Sequence, residues 1–262
     1  MIDIGANLTD PRFAPDLSAV LDRAASAGVS HIIVTGTQLA NSADAITLCR
    51  SRPGLLSCTV GIHPHVAARA PAGWADSLRD LAAAPAVCAI GETGLDFLRD
   101  FSPRDVQERV FATQLELAAE LALPVFVHDR DSAGRVTQML GAHRAGLAGV
   151  VVHCFTGNSQ ELDALLALDC YIGITGWVCD ERRGQELARL VTRIPADRLL
   201  LETDAPYLAP RSLKPRPRRN EPAFLAHIAA TVAALRDEDL TTVANTTSAN
   251  ARRLFRLPPL AG

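Results

Sequence analysis

The chain has 262 residues, of which 48% are hydrophobic and 21% charged, and its formal net charge is −3. That balance excludes a disordered polar chain and a strong, sequence-independent coat for nucleic acid, which needs a basic domain. No apolar run reaches the roughly 18 residues of a membrane span, and the six scattered cysteines contain no Cys-x-x-Cys pair, which argues against a disulfide framework or a structural zinc site.

The chain opens on a strand-like run, Met1–Leu8, with no basic region or apolar signal core before it, so a cytoplasmic location is the expectation. Asp16–Ala27 carries Leu17, Val20, Leu21 and Ala24 at helical spacing and ends at Gly28, suited to a C-terminal cap. Apolar strands follow at His31–Thr35, Leu55–Ile62 and Val87–Ile90. Pro103–Leu123 reads as a long helix with Val106, Val110, Leu115, Leu117 and Leu121 on its buried side. Strands at Pro124–Val127 and Gly149–Val152, a helix at Ser159–Leu168, a strand at Cys170–Ile174, a helix at Arg183–Leu190 and a strand at Arg198–Leu201 continue the alternation. Glu221–Phe255 reads as two or three closing helices.

Strands this apolar are covered on both faces, as in parallel sheets. Eight strand–helix units, without a Gly-x-Gly-x-x-Gly after the first strand, predict a (β/α)8 TIM barrel of metal-dependent hydrolase type rather than an open doubly wound sheet. The absence of a linker or repeat predicts one domain over residues 1–262.

Barrel enzymes carry their chemistry at the C-terminal ends of the strands. Here strand one ends near Asn7, strand two near Thr37, strand three in His63-Pro64-His65, strand four in Glu92, strand five in His128 and strand six in His153. Strand seven ends near Thr175 and Trp177, and strand eight in Glu202-Thr203-Asp204. A single histidine is usually a satisfied core or surface residue; four of the seven at one boundary, with carboxylates beside them, point to a metal site. Imidazole with carboxylate suits zinc, manganese, cobalt or iron, and carboxylate-rich sites extend to magnesium. Glu92, His128 and His153, from consecutive strands, can meet above the barrel. Glu202 and Asp204 share a face if the strand stays regular, so that one can be a ligand while the other handles a proton; Glu202 could instead pair with an arginine such as Arg130. His63 is the firmer site residue, since His65, beyond Pro64, can turn to solvent or substrate.

The runs Thr59–His65, Ala89–Asp96, Val127-His128, Val152–Gly157 and Leu201–Pro206 resemble the TatD family of metal-dependent deoxyribonucleases, and the resemblance extends from Asp3-Ile-Gly to Asn250-Ala-Arg. Tyr171–Gly184 and Arg218–Pro222 look like its bacterial branch. The resemblance implies a 3′→5′ exonuclease on single-stranded DNA, with RNA as a further substrate, using a divalent ion, magnesium foremost and manganese or zinc as alternatives. It carries the metal-ligand pattern onto Glu92, His128, His153 and Asp204, and acid or phosphate-contacting roles onto His63, His65 and Glu202. Many members begin Asp-x-His-x-His; here Asp3-Ile-Gly5-Ala-Asn7 lacks both histidines, which implies one tight ion and a second that at most arrives with substrate.

After strand eight, Arg211–Arg219 holds five cationic residues, with Arg211, Lys214, Arg218 and Arg219 as candidate phosphate contacts, unless the stretch is a solvated, proline-stiffened loop. Arg182 and Arg183 extend it, and Trp177 either stacks a base or packs. In the expected mechanism Asp204 or Glu202 takes a proton from water, and His63 or His65 stabilises charge or protonates the leaving oxygen. The alternative keeps the barrel and metal but acts, amidohydrolase-like, on a small ester or amide or an aminoacyl-tRNA; a non-catalytic binding protein is a further rival. A monomer with no membrane contact, serving DNA repair or DNA fragmentation, completes the expectation.

Overall fold

A parallel ladder needs a long crossover between neighbouring strands, and strands apolar on both faces need cover on both. A closed ring of strands inside a ring of helices meets both demands. The structure, a computed structural model, describes residues 1–215 and 217–257; Arg216 of the basic loop and residues 258–262 of the expected single domain lie outside the described residues. Eight parallel strands succeed one another in chain order: β1 (Ile2–Ala6), β2 (His31–Val34), β3 (Leu56–Val60), β4 (Val87–Asp96), β5 (Val125–Arg130), β6 (Val150–Val152), β7 (Tyr171–Ile174) and β8 (Leu199–Leu201). The ring closes between β8 and β1, where Ala6 bridges Ala205, the Asn7 N–H donates to the Ala205 carbonyl at 2.6 Å and the Asp204 N–H to that of Gly5 at 2.8 Å. This is the predicted (β/α)8 barrel.

The predicted helices appear as α1 (Leu17–Ser26), α4 (Arg104–Glu120), α6 (Ser159–Ala167), α7 (Gln185–Leu190), α8 (Leu225–Arg236) and α9 (Leu240–Phe255). Three more, α2 (Leu39–Ser51), α3 (Trp74–Ala82) and α5 (Arg135–His143), occupy stretches outside the helices read from the sequence. Their buried faces are narrow or partly polar: α2 buries Ser42, Ala45, Ile46 and Cys49, α3 buries only Leu78 fully, and α5 buries Val136, Met139 and Leu140. Among the described residues, no helix is long and apolar enough to cross a membrane.

Most of the apolar core lies between strands and helices. A smaller cluster joins Ile2, Ile4, Ile33, Phe126, Val151 and Leu200 to Ala251, Leu254 and Phe255 of α9. Asn250 holds α9 there, its amide donating to the Ala196 and Leu199 carbonyls at 2.7 and 2.9 Å at the start of β8. The barrel is thus stoppered at the N-terminal ends of its strands and left free for chemistry at the other.

One buried carboxylate fastens the seam. Asp3 on β1 accepts the Thr203 N–H at 2.9 Å, the Gly5 N–H at 3.3 Å and the Thr203 hydroxyl at 2.6 Å. Burial, partly offset by these bonds, lifts its pKa to about 7. An Asp3→Ala variant leaves those buried donors without an acceptor and is expected to lose about 3 kcal/mol of stability. Thermal unfolding measures this; an unchanged midpoint would remove Asp3 as the fastening of the seam.

Candidate metal centre

The sequence places Glu92 at the end of strand four, whereas the structure places it in the middle of β4, which runs on to Asp96. The ladder to β5 is irregular between Ile90 and Thr93, and there the Glu92 N–H donates instead to the Gly36 carbonyl at 2.6 Å. A side chain at Gly61 of the β3 exit would press into the Gly91 backbone. Gly61 therefore lets β3 approach β4, and Gly91, where a side chain would press on the Phe126 carbonyl, lets β4 approach β5, at the point where Glu92 turns over the barrel mouth.

Three imidazoles converge on one oxygen of Glu92. His153 Nε2 lies 2.8 Å, His128 Nδ1 2.9 Å and His63 Nε2 3.1 Å from Glu92 Oε1. The ligand atoms of His63, Glu92 and His128 all lie within 4.8 Å of one another. The other nitrogen of each ring distinguishes their roles. His63 Nδ1 accepts the His65 N–H at 3.1 Å, which leaves its proton on Nε2 and makes His63 a donor toward the centre. His153 Nδ1 faces Glu202 Oε2 at 3.3 Å, so its Nε2 can present a lone pair inward, the carboxylate–histidine arrangement of metal sites. His128 Nε2 is buried without a hydrogen-bond partner, the nearest carboxylate oxygen being Asp96 Oδ2 at 3.5 Å.

Glu202 is fully buried and committed: besides His153, it accepts the Cys154 N–H at 2.5 Å. Arg130, the alternative partner in the sequence, donates instead to the Thr156 hydroxyl. Glu202 occupies a slot between two glycines, since a methyl group on Gly173 would lie 2.5 Å from its Oε1 and one on Gly5 2.6 Å from its Oε2. Gly5 stands where the wider pattern has a histidine; Glu202 and the Phe126 ring, 3.0 Å from the same methyl position, fill that space. Phe126 also stacks on His153, with ring centres 4.5 Å apart. Asp204 leaves β8 with φ of 54° and takes the Asn7 amide at 2.9 Å.

The electrostatics of the centre follow from this crowding. Burial works against charge on Glu92, yet the imidazoles of His63 and His153 and the hydrogen bonds from His128 and His153 hold its pKa well below the ordinary range. Burial likewise opposes charge on His128, but Asp96 and Glu92 outweigh it and lift the pKa to about 8; His153, between Glu92 and Glu202, is raised well above its usual value. His63 goes the other way, lowered by burial to about 4, in keeping with its neutral donor form. Asp204, desolvated, rises to about 7. Buried carboxylates that force protons onto imidazoles form a site asking for a cation, and the donor set fits a divalent metal.

Sequence reasoning missed three supports. Asp96 accepts from His65 Nε2 at 2.6 Å. Gln107 of α4 receives the Asp96 N–H at 2.8 Å, and Gln114 clasps Ile62 through both N–H and C=O at 2.8 and 3.0 Å while donating to the Thr93 hydroxyl. A polar residue on a helix's core face breaks the apolar pattern that sequence reading follows. The histidines away from the centre are ordinarily bonded: His31 to Gly54 and Ser57, His143 to Met139 and His227 to Ser212.

The basic loop divides. Arg211 and Arg183 share the buried Asp180 carboxylate, both at 3.2 Å, linking the loops after β7 and β8. Arg219 pairs with Asp16 at 2.6 Å and lies over Phe13, so its guanidinium is engaged in packing. Lys214 and Arg218 are exposed and have no ion pair with any described residue. Trp177 has Arg183 at 4.7 Å and Arg130 at 5.7 Å over its ring.

A family model described as TatD related DNase matches residues 2–256. The chain is 53% identical over 260 residues to the 3′-5′ ssDNA/RNA exonuclease TatD of Erwinia billingiae, covering 98% of this chain and 100% of that protein. It is 54% identical over 263 residues to the protein of the same name from Yersinia pseudotuberculosis, with the same coverage. It is also similar in structure to YJJV, a TatD homologue of Escherichia coli, at a TM-score of 0.91 and 30% identity over 98% of each chain.

A cation must displace the proton that the carboxylates hold on His128, whose pKa is about 8. Asp204, at about 7, and His153, raised well above its usual value, must give up protons as well, so metal affinity is expected to strengthen with proton release as pH rises through about 7 and about 8 and to go on rising while His153 still holds a proton. Calorimetry in buffers of different ionisation enthalpy measures both; pH-independent binding without proton release would refute this account of the charge.

Proposed function

The chain belongs to the TatD related DNase family, and on that premise we propose that it is a metal-dependent 3′→5′ exonuclease hydrolysing the phosphodiester bonds of single-stranded DNA and RNA. The observation that carries this reading is the convergence of three imidazole nitrogens on Glu92 Oε1 at the mouth of the barrel. Glu92, His128, His153 and Asp204 are the residues that would hold the ion, and magnesium is the ion we assign. When bound, it supplies a water of lowered pKa and draws charge from the phosphoryl group. The filled space at Gly5 supports a single tight ion per chain.

The remaining chemistry falls to the side chains. Asp204, its pKa near 7 and its carboxylate steadied by Asn7, takes the proton of the attacking water. His63 offers its Nε2–H to developing charge on the phosphate, and His65, held by Asp96, hands a proton to the leaving oxygen. Glu202 works through His153, whose ring it orients. Lys214 and Arg218 grip phosphates along the strand, with Arg211 beside them and Arg219 shaping the loop. The basic loop supports a polyanionic substrate over a neutral small ester or amide, and the relatives named as ssDNA/RNA exonucleases support the nuclease over the aminoacyl-tRNA alternative. We place this activity in the cytoplasm, in a chain that works as one barrel domain and as a monomer.

The test is degradation of a 5′-labelled single-stranded oligonucleotide by metal-stripped protein given back magnesium, manganese or zinc. A ladder shortening from the 3′ end with added metal, and abolished in Glu92→Ala, is expected; intact oligonucleotide under every ion would overturn the nuclease reading. Glu202→Ala is expected to weaken metal binding roughly 10- to 100-fold, read by competition with a fluorescent chelator. Lys214→Ala and Arg218→Ala are each expected to weaken binding evenly across sequences and to reduce the slope of log affinity against log salt by about 0.7. Arg219→Ala should instead lower the melting temperature. A changed salt slope in Arg219→Ala alone would reverse these assignments.

A further inference from the structure

Phe101 is the most exposed of the large apolar side chains among the described residues, at 65%. It sits in the loop between β4 and α4, and its exposure is not slackness in that loop. On one side the Asp100 carboxylate is clamped by Arg104, through Nε at 3.0 Å and Nη2 at 2.8 Å, while Arg104 also lies over the Phe97 ring and bonds its carbonyl. On the other side buried Ser102 accepts the Ala68 N–H at 3.0 Å through its hydroxyl and the Gln107 amide at 2.7 Å through its carbonyl. The backbone on both flanks is tied down, and the ring between them is left in solvent.

That ring borders the metal centre. Its centre lies 4.8 Å from that of His65 at an interplanar angle of 71°, and His65 in turn lies 4.3 Å from His63. Two other aromatic rings near the strand exits are already covered by cations, Trp177 by Arg183 and Arg130, and Tyr207 by Arg12 at 4.5 Å, with its hydroxyl on Asp10, and Phe155 after β6 is buried. Among the described residues no cation lies over Phe101, and Leu98 in the same loop is 53% exposed. A fixed apolar face beside a site is a place for a ligand surface of like character. On the nuclease reading, on which this inference rests, the planar apolar surface next to the scissile phosphodiester is a nucleobase.

We propose that Phe101 is the platform on which the base at the 3′ end of the strand stacks, seating the terminal phosphodiester against the metal centre. A phenyl ring reads the face of a base and not its edge, so the hold is indifferent to sequence.

The experiment uses wild type, Phe101→Ala and Phe101→Trp on an oligonucleotide carrying 2-aminopurine at its 3′ terminus, and on the same strand ending in an abasic nucleotide. With metal chelated, wild type and Phe101→Trp are expected to quench the 2-aminopurine and Phe101→Ala to leave it bright. With metal present, Phe101→Ala should raise KM for the normal end roughly tenfold, with kcat little changed. On the abasic end wild type and Phe101→Ala should behave alike. Quenching retained in Phe101→Ala, or an abasic end used by wild type as readily as a normal one, would overturn the proposal. If wild type cuts neither strand the nuclease reading falls, while quenching on the chelated protein still decides the platform.

Discussion

A carboxylate buried among imidazoles governs this molecule. Glu92 Oε1 has three ring nitrogens within 3.1 Å, so a single desolvated oxygen is the meeting point of three strands' side chains. Such a grouping is unfavourable in isolation, because desolvated charge is costly unless matched. It persists because the backbone that carries it has no freedom to relax. The Glu92 N–H is bonded to Gly36, the Gly61–Gly91 approach leaves no room for movement, and β4 is laddered to β5 as far as Asp96. A fold of eight mutually braced strands can hold groups together that would otherwise separate.

Behind this centre the same logic recurs one layer out. Glu202 lies in a slot made by two glycines and orients His153; Asp96 steadies His65 and faces His128; Gln107 and Gln114 bring two strand exits under the control of α4. Each inner residue has an outer partner from a different part of the chain. The absence of a side chain at Gly5 belongs to this layer too, because the volume that a histidine would need already holds Glu202 and Phe126.

The strands were legible because they are predominantly apolar, and the histidines of the centre were legible because they stand where those runs stop. What remained hidden has a common physical cause. β4 continues through Gly-Glu-Thr-Gly-Leu-Asp, a stretch with too few apolar residues to read as a strand, and so Asp96 escaped notice. Helix α2 buries small or polar residues beside Ile46, α3 buries only Leu78 fully, and α4 turns two glutamines inward where an apolar stripe would be expected. Arg219 looked like its neighbours Lys214 and Arg218 because a one-dimensional string does not record that Asp16 lies opposite it. Sequence patterns record what is buried by hydrophobicity; they do not record what is buried by pairing.

The closure of the barrel has a consequence for the life of the polypeptide. Asp3 and Asn7 meet their partners Thr203 and Asp204 across nearly two hundred residues, and Glu202, which seats against Gly5, comes from the same distant stretch. A chain emerging from the ribosome therefore holds Glu92, His128 and His153 long before it holds the residues that complete them. Fragments released by early termination, or by a cut before β8, carry an open ring and an unfinished centre. On the proposed reading, competence to cut nucleic acid arrives only with nearly the whole chain.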